Sequence, residues 1–260
     1  MTSRLHALVT GASRGIGRAI AEQLAARGCR VAVHYHQNRA AAESLLATLP
    51  GDGHACFAAD LLRNDGAETL WTEVERGFGP VDLLVNNAGI YELHASLTTD
   101  HAAWREAWQR TLASNLLAPA HLCHLAALAM VSRAERTTPD AFGRGRIVNI
   151  SSRGAFRGEP HAPAYGASKA GLNSLSQSLA KDLAPRGVFI FCLAPGWVET
   201  DMAAEHLTGP RRDEIYAQHP LGRVSRPDEI ARAAVFCGLD APAVMTGSIV
   251  DLNGASYLRT

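Results

Sequence analysis

The sequence predicts an α/β fold, a single doubly wound domain over 1–260 with a seven-stranded parallel sheet and helices on both faces. Three observations predict it. Short apolar runs alternate with segments of helical period along the chain, as in a parallel sheet built from right-handed crossovers. Several runs lack in/out alternation, the mark of strands covered on both sides. A glycine cluster separates the first run from the first helical segment.

In order, the expected strands are 5–10, 30–35, 54–58, 81–86, 146–151, 188–194 and 248–251. The expected helices are 16–27, 40–48, 66–78, 102–133, 165–183 and 227–239. Two stretches break the rhythm. Segment 132–145 (SRAERTTPDAFGRG) is polar and reads as a surface insertion. Segment 199–220 follows a strand, carries Gly209-Pro210, and reads as a helical lid over a site.

Bulk properties narrow the function. The chain has 260 residues, 47% of them hydrophobic and 19% charged, an ordinary globular balance. Formal net charge is zero, so neither nucleic acid nor an anionic membrane is favoured as partner. No uninterrupted run of apolar residues is long enough to predict a membrane-spanning helix. The five cysteines are scattered without a CxxC pair, which suits buried thiols in a reducing, cytoplasmic setting. The histidines show no metal spacing, and no metal is expected; His121 and His124 sit i,i+3 with no matching carboxylate.

Residues 10–17 read TGASRGIG. Gly11, Gly15 and Gly17 permit a tight turn and a close approach of a pyrophosphate. Ser13, Arg14 and Ile16 lie between them, where the opening helix offers free N–H groups and the positive end of its dipole. The spacing is GxxxGxG rather than the usual GxGxxG, and its position between strand and helix supports a Rossmann-type dinucleotide site. At the end of the second strand, Tyr35 is followed by His-Gln-Asn and Arg39, with no carboxylate before Glu43. Arg14 and Arg39 are therefore read as partners of a 2′-phosphate, favouring NADP(H) over NAD(H). The alternative is that both arginines are solvated surface charges.

Tyr165 and Lys169 stand at i,i+4, on one face of a helix. An ammonium beside a phenol favours the phenolate and brings its proton toward neutral-pH chemistry. Thirteen residues earlier, at a strand end, lie Ser151 and Ser152. Either hydroxyl could bind a substrate oxygen; the spacing to Tyr165 favours Ser152.

Together these blocks resemble the short-chain dehydrogenase/reductase family. They run in order over nearly the whole chain: TGASRGIG (10–17), Asp60-Leu61, NNAG (86–89), Asn115, IVNISS (147–152), YGASK (165–169), PGWVET (195–200) and DLNGA (251–255). The set is most similar to the branch containing the 3-oxoacyl-[acyl-carrier-protein] reductases. The resemblance implies an enzyme moving a hydride between nicotinamide and a carbonyl or alcohol carbon. Tyr165 would be general acid or base, Lys169 would lower its pKa and bind the nicotinamide ribose, Ser152 would hold the carbonyl oxygen, and Asn115 would anchor a water leading to solvent. Asp60 would bind the adenine amino group beside Leu61. Asn87, Ala88 and Gly89 would pass along the adenosine ribose, and Pro195, Gly196, Val198 and Thr200 would cradle the nicotinamide.

Three further expectations follow. The substrate is a small carbonyl or alcohol, possibly linked to a carrier. The family's basic carrier-receiving positions fall here on Arg186 and Gly143, with Arg144 beside the latter. In the family the helices corresponding to 102–133 and 165–183 pack across subunits, so the resemblance implies a homotetramer with Ala126, Ala127, Ala129, Ala170, Gly171, Ser174 and Ser178 at its interfaces; the alternative is that these small residues only serve packing within one subunit. Arg153, Arg157 and Glu159 charge the substrate rim, which fits either an anionic substrate or an internal salt bridge. The competing functions are an NAD-dependent dehydrogenase of a small alcohol or sugar and a non-catalytic NADP(H) sensor.

Overall fold

The five central strands bury both of their faces, and their side chains alternate between two separate cores, whereas the two edge strands stay partly exposed. The computed structural model describes residues 4–133 and 142–259. Strands β1 (His6–Val9), β2 (Arg30–Tyr35), β3 (Ala55–Ala58), β4 (Leu83–Asn86), β5 (Gly145–Ile150), β6 (Val188–Pro195) and β7 (Ile249–Leu252) form one parallel sheet of order β3-β2-β1-β4-β5-β6-β7. Val9 pairs with Val33 on one side and Val85 on the other. Ala7, Val9, Leu83, Val85 and Val148 point to one face; Leu8, Leu84 and Ile147 point to the opposite face.

The first face is covered by α1 (Gly15–Ala26), α2 (Arg39–Leu46) and α10 (Pro227–Val235), through Ile20, Leu24, Leu45, Ala231 and Val235. The second is covered by α3 (Gly66–Gly77), α5 (Ala118–Ser132) and α7 (Pro163–Leu183), through Leu70, Trp71, Leu122, Met130 and Ala180. The strand order reverses between β1 and β4, which opens a crevice at their carboxyl ends.

The expected elements are present, with boundaries shifted by a few residues. The helix read as 102–133 is instead α4 (His101–Leu112), a π-helical turn (Ala113–Leu117) and α5 in one rod. That rod contains an 18-residue window of mean hydropathy 1.3, so by length and composition it could cross a membrane, contrary to the sequence expectation. Half of the window is buried, and its Ala- and Leu-rich face packs as a core helix against α3 and the sheet. The segment 199–220 is helical as read: α8 (Asp201–Thr208) and α9 (Arg212–Ala217). A short helix not foreseen, α6 (Gly154–Arg157), follows Ser152. Most of the surface insertion read at 132–145 lies outside the described residues.

Candidate active site

The crevice is a cleft of about 490 Å³ at the carboxyl ends of the strands, and its wall carries most of the residues singled out from the sequence. On the glycine side these are Gly11, Ser13, Arg14, Gly15, Ile16 and Tyr35. Asp60, Leu61, Asn87, Ala88 and Gly89 continue the wall. Ser152, Tyr165, Lys169, Pro195, Gly196, Val198 and Thr200 complete it. Gly17, Arg39 and Asn115 stand outside the lining, each for a different reason.

Gly17 lies beneath the loop. A Cβ there would stand 2.4 Å from both Asn87 Nδ2 and the Gly11 carbonyl oxygen, so glycine is the residue that lets α1 pack against the strand-end turn. Gly11 (φ 63°) and Gly15 (φ 55°) occupy the left-handed region. No side chain caps the amino end of α1, and no acidic residue lies in its first turn. The free N–H groups and dipole end therefore face the cleft without a protein anion, which fits a phosphate.

Thr10 and His34 hold this loop in place, and motif reading missed both. Thr10 Oγ1 accepts the Asn87 and Ala88 N–H groups at 2.9 and 3.0 Å and donates to the Val85 carbonyl. The Asn87 side chain donates to the Thr10 and Gly11 carbonyls, so it braces the loop. His34 Nδ1 accepts the Gly11 N–H at 3.0 Å, while Nε2 meets the Ala59 carbonyl at 3.1 Å. Burial pushes the His34 pKa down to about 4, so the neutral imidazole spans β1, β2 and β3. Its cue in the sequence was a polar residue inside an apolar strand.

Arg39 is outside the cleft because Glu43, one helical turn on, takes its guanidinium at 2.7 Å on an exposed face. The pairing of Arg39 with a cofactor phosphate thus has a competitor, whereas Arg14 lines the cleft and meets only an exposed Asp201 at 3.8 Å. His36, Gln37 and Asn38 line the cleft at the end of β2. Asp60 accepts the Leu62 N–H at 3.0 Å and lies 3.6 Å from His36.

Tyr165 sits in the first turn of α7, which begins at Pro163 rather than at Tyr165. Buried His94 accepts the Ala164 N–H with Nε2 at 3.2 Å, satisfying one of the helix's unpaired donors. Ser151 and Ser152 separate clearly. Ser151 Oγ donates to the Lys169 carbonyl at 3.2 Å, whereas the Ser152 hydroxyl accepts the Gly154 N–H at 3.0 Å and lies close enough to the Tyr165 phenol to pull its pKa down. Lys169 Nζ donates to the Ile150 carbonyl at 2.8 Å and lies 5.8 Å from the Tyr165 ring centre.

The electrostatics differ from the sequence expectation. Burial pushes Tyr165 up to about 12, against the lowering pull of Ser152, and pushes Lys169 down to about 8. In this arrangement Lys169 is turned to the Ile150 carbonyl and does not draw the phenol toward phenolate. The phenol is therefore protonated at neutral pH, and burial holds its proton more tightly than that of a free tyrosine.

Asn115 is fully buried in the π-helical turn, a distortion that often marks functional positions. Its Oδ1 accepts the Ile90 N–H at 2.8 Å and its Nδ2 donates to the Ile90 carbonyl at 2.9 Å. A Cβ on Gly89 would lie 3.2 Å from Asn115 Oδ1 and 3.6 Å from Lys169 Nζ, so both groups crowd the same backbone position. Asn115 thereby fixes the strand-end turn against the helix that carries Lys169.

The outer wall is aromatic. Tyr91 meets Tyr165 edge-on at 4.9 Å, Trp197 at 6.5 Å and His206 of α8 at 5.7 Å. Sequence reading gave no role to Tyr91, Trp197 or His206, although Trp197 stands within PGWVET and Tyr91 two residues after NNAG. No cluster of metal-ligating side chains occurs among the described residues.

Comparison with known proteins agrees with this geometry. Residues 11–254 match a family model described as enoyl-(acyl carrier protein) reductase. The 3-oxoacyl-[acyl-carrier-protein] reductase FabG of Escherichia coli K12 is 38% identical over 256 residues, 97% of each chain. Its namesake from Haemophilus influenzae is 36% identical over 255 residues, covering 97% of this chain and 98% of the other. Among solved structures, a short-chain glucose/ribitol dehydrogenase from Brucella melitensis superimposes with a TM-score of 0.85 at 31% identity, covering 99% and 98% of the two chains. The angucycline C-6 ketoreductase LanV with bound NADP gives a TM-score of 0.83 at 31% identity over 97% and 95%. The fold, the ordered motifs and these relatives together make the chain a member of the short-chain dehydrogenase/reductase family, closely related to its 3-oxoacyl-[acyl-carrier-protein] reductase branch.

Proposed function

We propose that this protein is an NADP(H)-dependent ketone reductase in which Tyr165 gives the proton and Ser152 holds the carbonyl oxygen. The observation that carries the reading is that Ser152, Tyr165 and Lys169 line one cleft together with the glycine loop, with Ser152 near enough to act on the Tyr165 phenol. The cradle of Gly11, Ser13, Gly15 and the open end of α1 would hold the pyrophosphate, and Pro195, Gly196, Val198 and Thr200 the nicotinamide end. When bound, the dinucleotide supplies the hydride. Ser152 orients the substrate oxygen toward Tyr165, which carries its proton at neutral pH. Lys169 would bind the nicotinamide ribose and, with Asn115, lead a replacement proton inward from solvent.

NADP(H) is favoured because Arg14 reaches the cleft while the end of β2 offers His36, Gln37 and Asn38 and no carboxylate. The relatives' names attach to acyl-carrier substrates, sugars and a polycyclic ketone, so they support the reaction class and leave the substrate to the site. A small free ketone suits the site better than a carrier-linked one. Arg144, beside one of the carrier-receiving positions, donates instead to the Val131 and Arg133 carbonyls.

A homotetramer fits two exposed stripes. Leu117 and Leu128 share one face of the π-turn and α5, and Ala170, Ser174 and Ser178 share one face of α7. Ala126 and Ala127, read as interface residues, are buried in the subunit's own interior. Sedimentation at micromolar concentration checks the assembly.

The function is tested by following NADPH and NADH oxidation over a panel of ketones, with Tyr165→Phe alongside. Turnover that survives intact in the variant overturns the assigned proton donor. A strong NADH preference would overturn the cofactor reading and favour the NAD-dependent alcohol or sugar dehydrogenase.

A further inference from the structure

We propose that Arg153 makes the site selective for oxo acids, with the substrate carboxylate bound between Arg153 and Arg157 in the place now held by the Gln218 side chain. The inference rests on the ketone reductase reading and adds the chemical class of the substrate.

Arg153 follows Ser152 directly, and its backbone N–H donates to the Pro195 carbonyl at 2.9 Å, so its Cα is fixed beside the carbonyl-binding position. The residue is 2% exposed and forms part of the cleft wall. Its guanidinium has neutral partners only. It donates to the Ser256 hydroxyl and, at 3.2 Å, to Gln218 Oε1. Of the two outcomes the sequence left open, the internal salt bridge belongs to Arg157, which lies 3.6 Å from Glu159. Arg157 also donates to Gln218 Oε1 at 3.2 Å.

Two guanidinium groups thus converge on one amide oxygen and share one carboxylate. The surrounding groups add no further anion. Arg211 is paired with Glu214, and His219 donates through Nδ1 to the Ile215 carbonyl at 2.7 Å and leaves Nε2 without a partner. One positive charge remains in this group of side chains: Arg153 and Glu159 line the cleft beside Ser152, and Arg157 and Gln218 stand behind that lining. A buried charge is costly without a counter-charge, and a guanidinium is shaped to donate two parallel hydrogen bonds to a carboxylate. Gln218 Oε1 already occupies the acceptor position between the two arginines, as a neutral isostere of a carboxylate oxygen. Gln218 is half-buried in the turn after α9, so the lid segment can yield it to a ligand.

The test uses a short 3-oxo acid and its methyl ester, matched except for charge, with wild type, Gln218→Glu and Arg153→Met. The wild type is expected to prefer the acid in kcat/KM by about tenfold or more, the size of a charge-assisted hydrogen bond. Gln218→Glu supplies an internal carboxylate to both arginines. It should keep the thermal midpoint at or above wild type and bring the acid-to-ester ratio close to one. Arg153→Met should lower the same ratio. Equal losses for acid and ester in both variants would mean that Arg153 only props the lid, and would overturn the proposal. Calorimetric binding of acid and ester separates this from a failure of the reductase reading. Arg153-dependent preference for the acid without turnover supports the anion site alone. A wild type that binds the acid no tighter than the ester overturns it.

Discussion

The two walls of the cleft are built from different chemistry. On the glycine side the working groups are backbone N–H and carbonyl groups, fixed by neutral side chains that are themselves fully bonded: Thr10, His34 and Asn87. On the opposite side the working groups are aromatic rings and guanidinium groups, with Tyr91, Trp197 and His206 in edge contact and Arg153 buried against neutral acceptors. The first wall is complete without a ligand apart from the open end of α1. The second keeps an unbalanced charge. A shared cofactor can be received by invariant backbone geometry, whereas a particular substrate must be told apart by side chains. Ser152, Tyr165 and Lys169, the proposed proton-transfer centre, stand where the walls meet.

Breaking that junction should have the largest effect. Tyr165→Phe removes the phenol beside Ser152, and a loss of roughly 10²–10⁴-fold in kcat is expected. Dinucleotide affinity, read by quenching of intrinsic fluorescence, should change little, because the glycine wall is untouched.

The glycine wall can be stressed by acid through His34. Its folded pKa of about 4 lies below the ordinary value of 6.5, so the unfolded chain takes up the proton first as pH falls. Stability contributed by the neutral imidazole is present above pH 6.5 and is lost progressively between 6.5 and about 4, by up to about 3 kcal/mol. Urea midpoints measured across that window should fall in the wild type and flatten in His34→Gln. Equal slopes in the two proteins would show that other groups carry the acid sensitivity.

Two smaller changes sharpen the contrast between a residue in the wall and one beside it. Arg14→Ala should reduce the NADPH-over-NADH ratio of kcat/KM by about tenfold, the scale of one charge-assisted hydrogen bond. Arg39→Ala should leave that ratio within about twofold, since an exposed i,i+4 pair with Glu43 is worth only a few tenths of a kcal/mol. The reverse order would mean that α2 turns Arg39 toward the phosphate when the cofactor binds.

Much of this molecule follows from local pattern. Short apolar runs, glycine placement and the i,i+4 relation of Tyr165 to Lys169 are properties of neighbouring residues, so the seven strands, the loop and the catalytic helix could be read directly. Asn115 could be picked out as a polar residue in an apolar helix, but not the π-helical turn that faces it toward Gly89, because that turn depends on packing between three elements. Ser151 and Ser152 are equivalent in composition, and only the course of the chain beyond β5 turns one hydroxyl to the Lys169 carbonyl of α7 and sets the other near Tyr165.

Charge was the least legible property. Arg14, Arg39, Arg153 and Arg157 are all arginines near motifs, yet Arg14 lines the cleft exposed, Arg39 pairs along its own helix, Arg153 lines the cleft buried with neutral hydrogen-bond partners and Arg157 is paired with Glu159. The lowered pKa of Lys169 and the raised pKa of Tyr165 have the same origin. Burial and long-range partners set the energy of a charge, and both are decided by how distant segments meet. By itself, then, the sequence determined the fold and the chemistry class; the tertiary structure decided which charges are spent within the protein and which remain for a substrate.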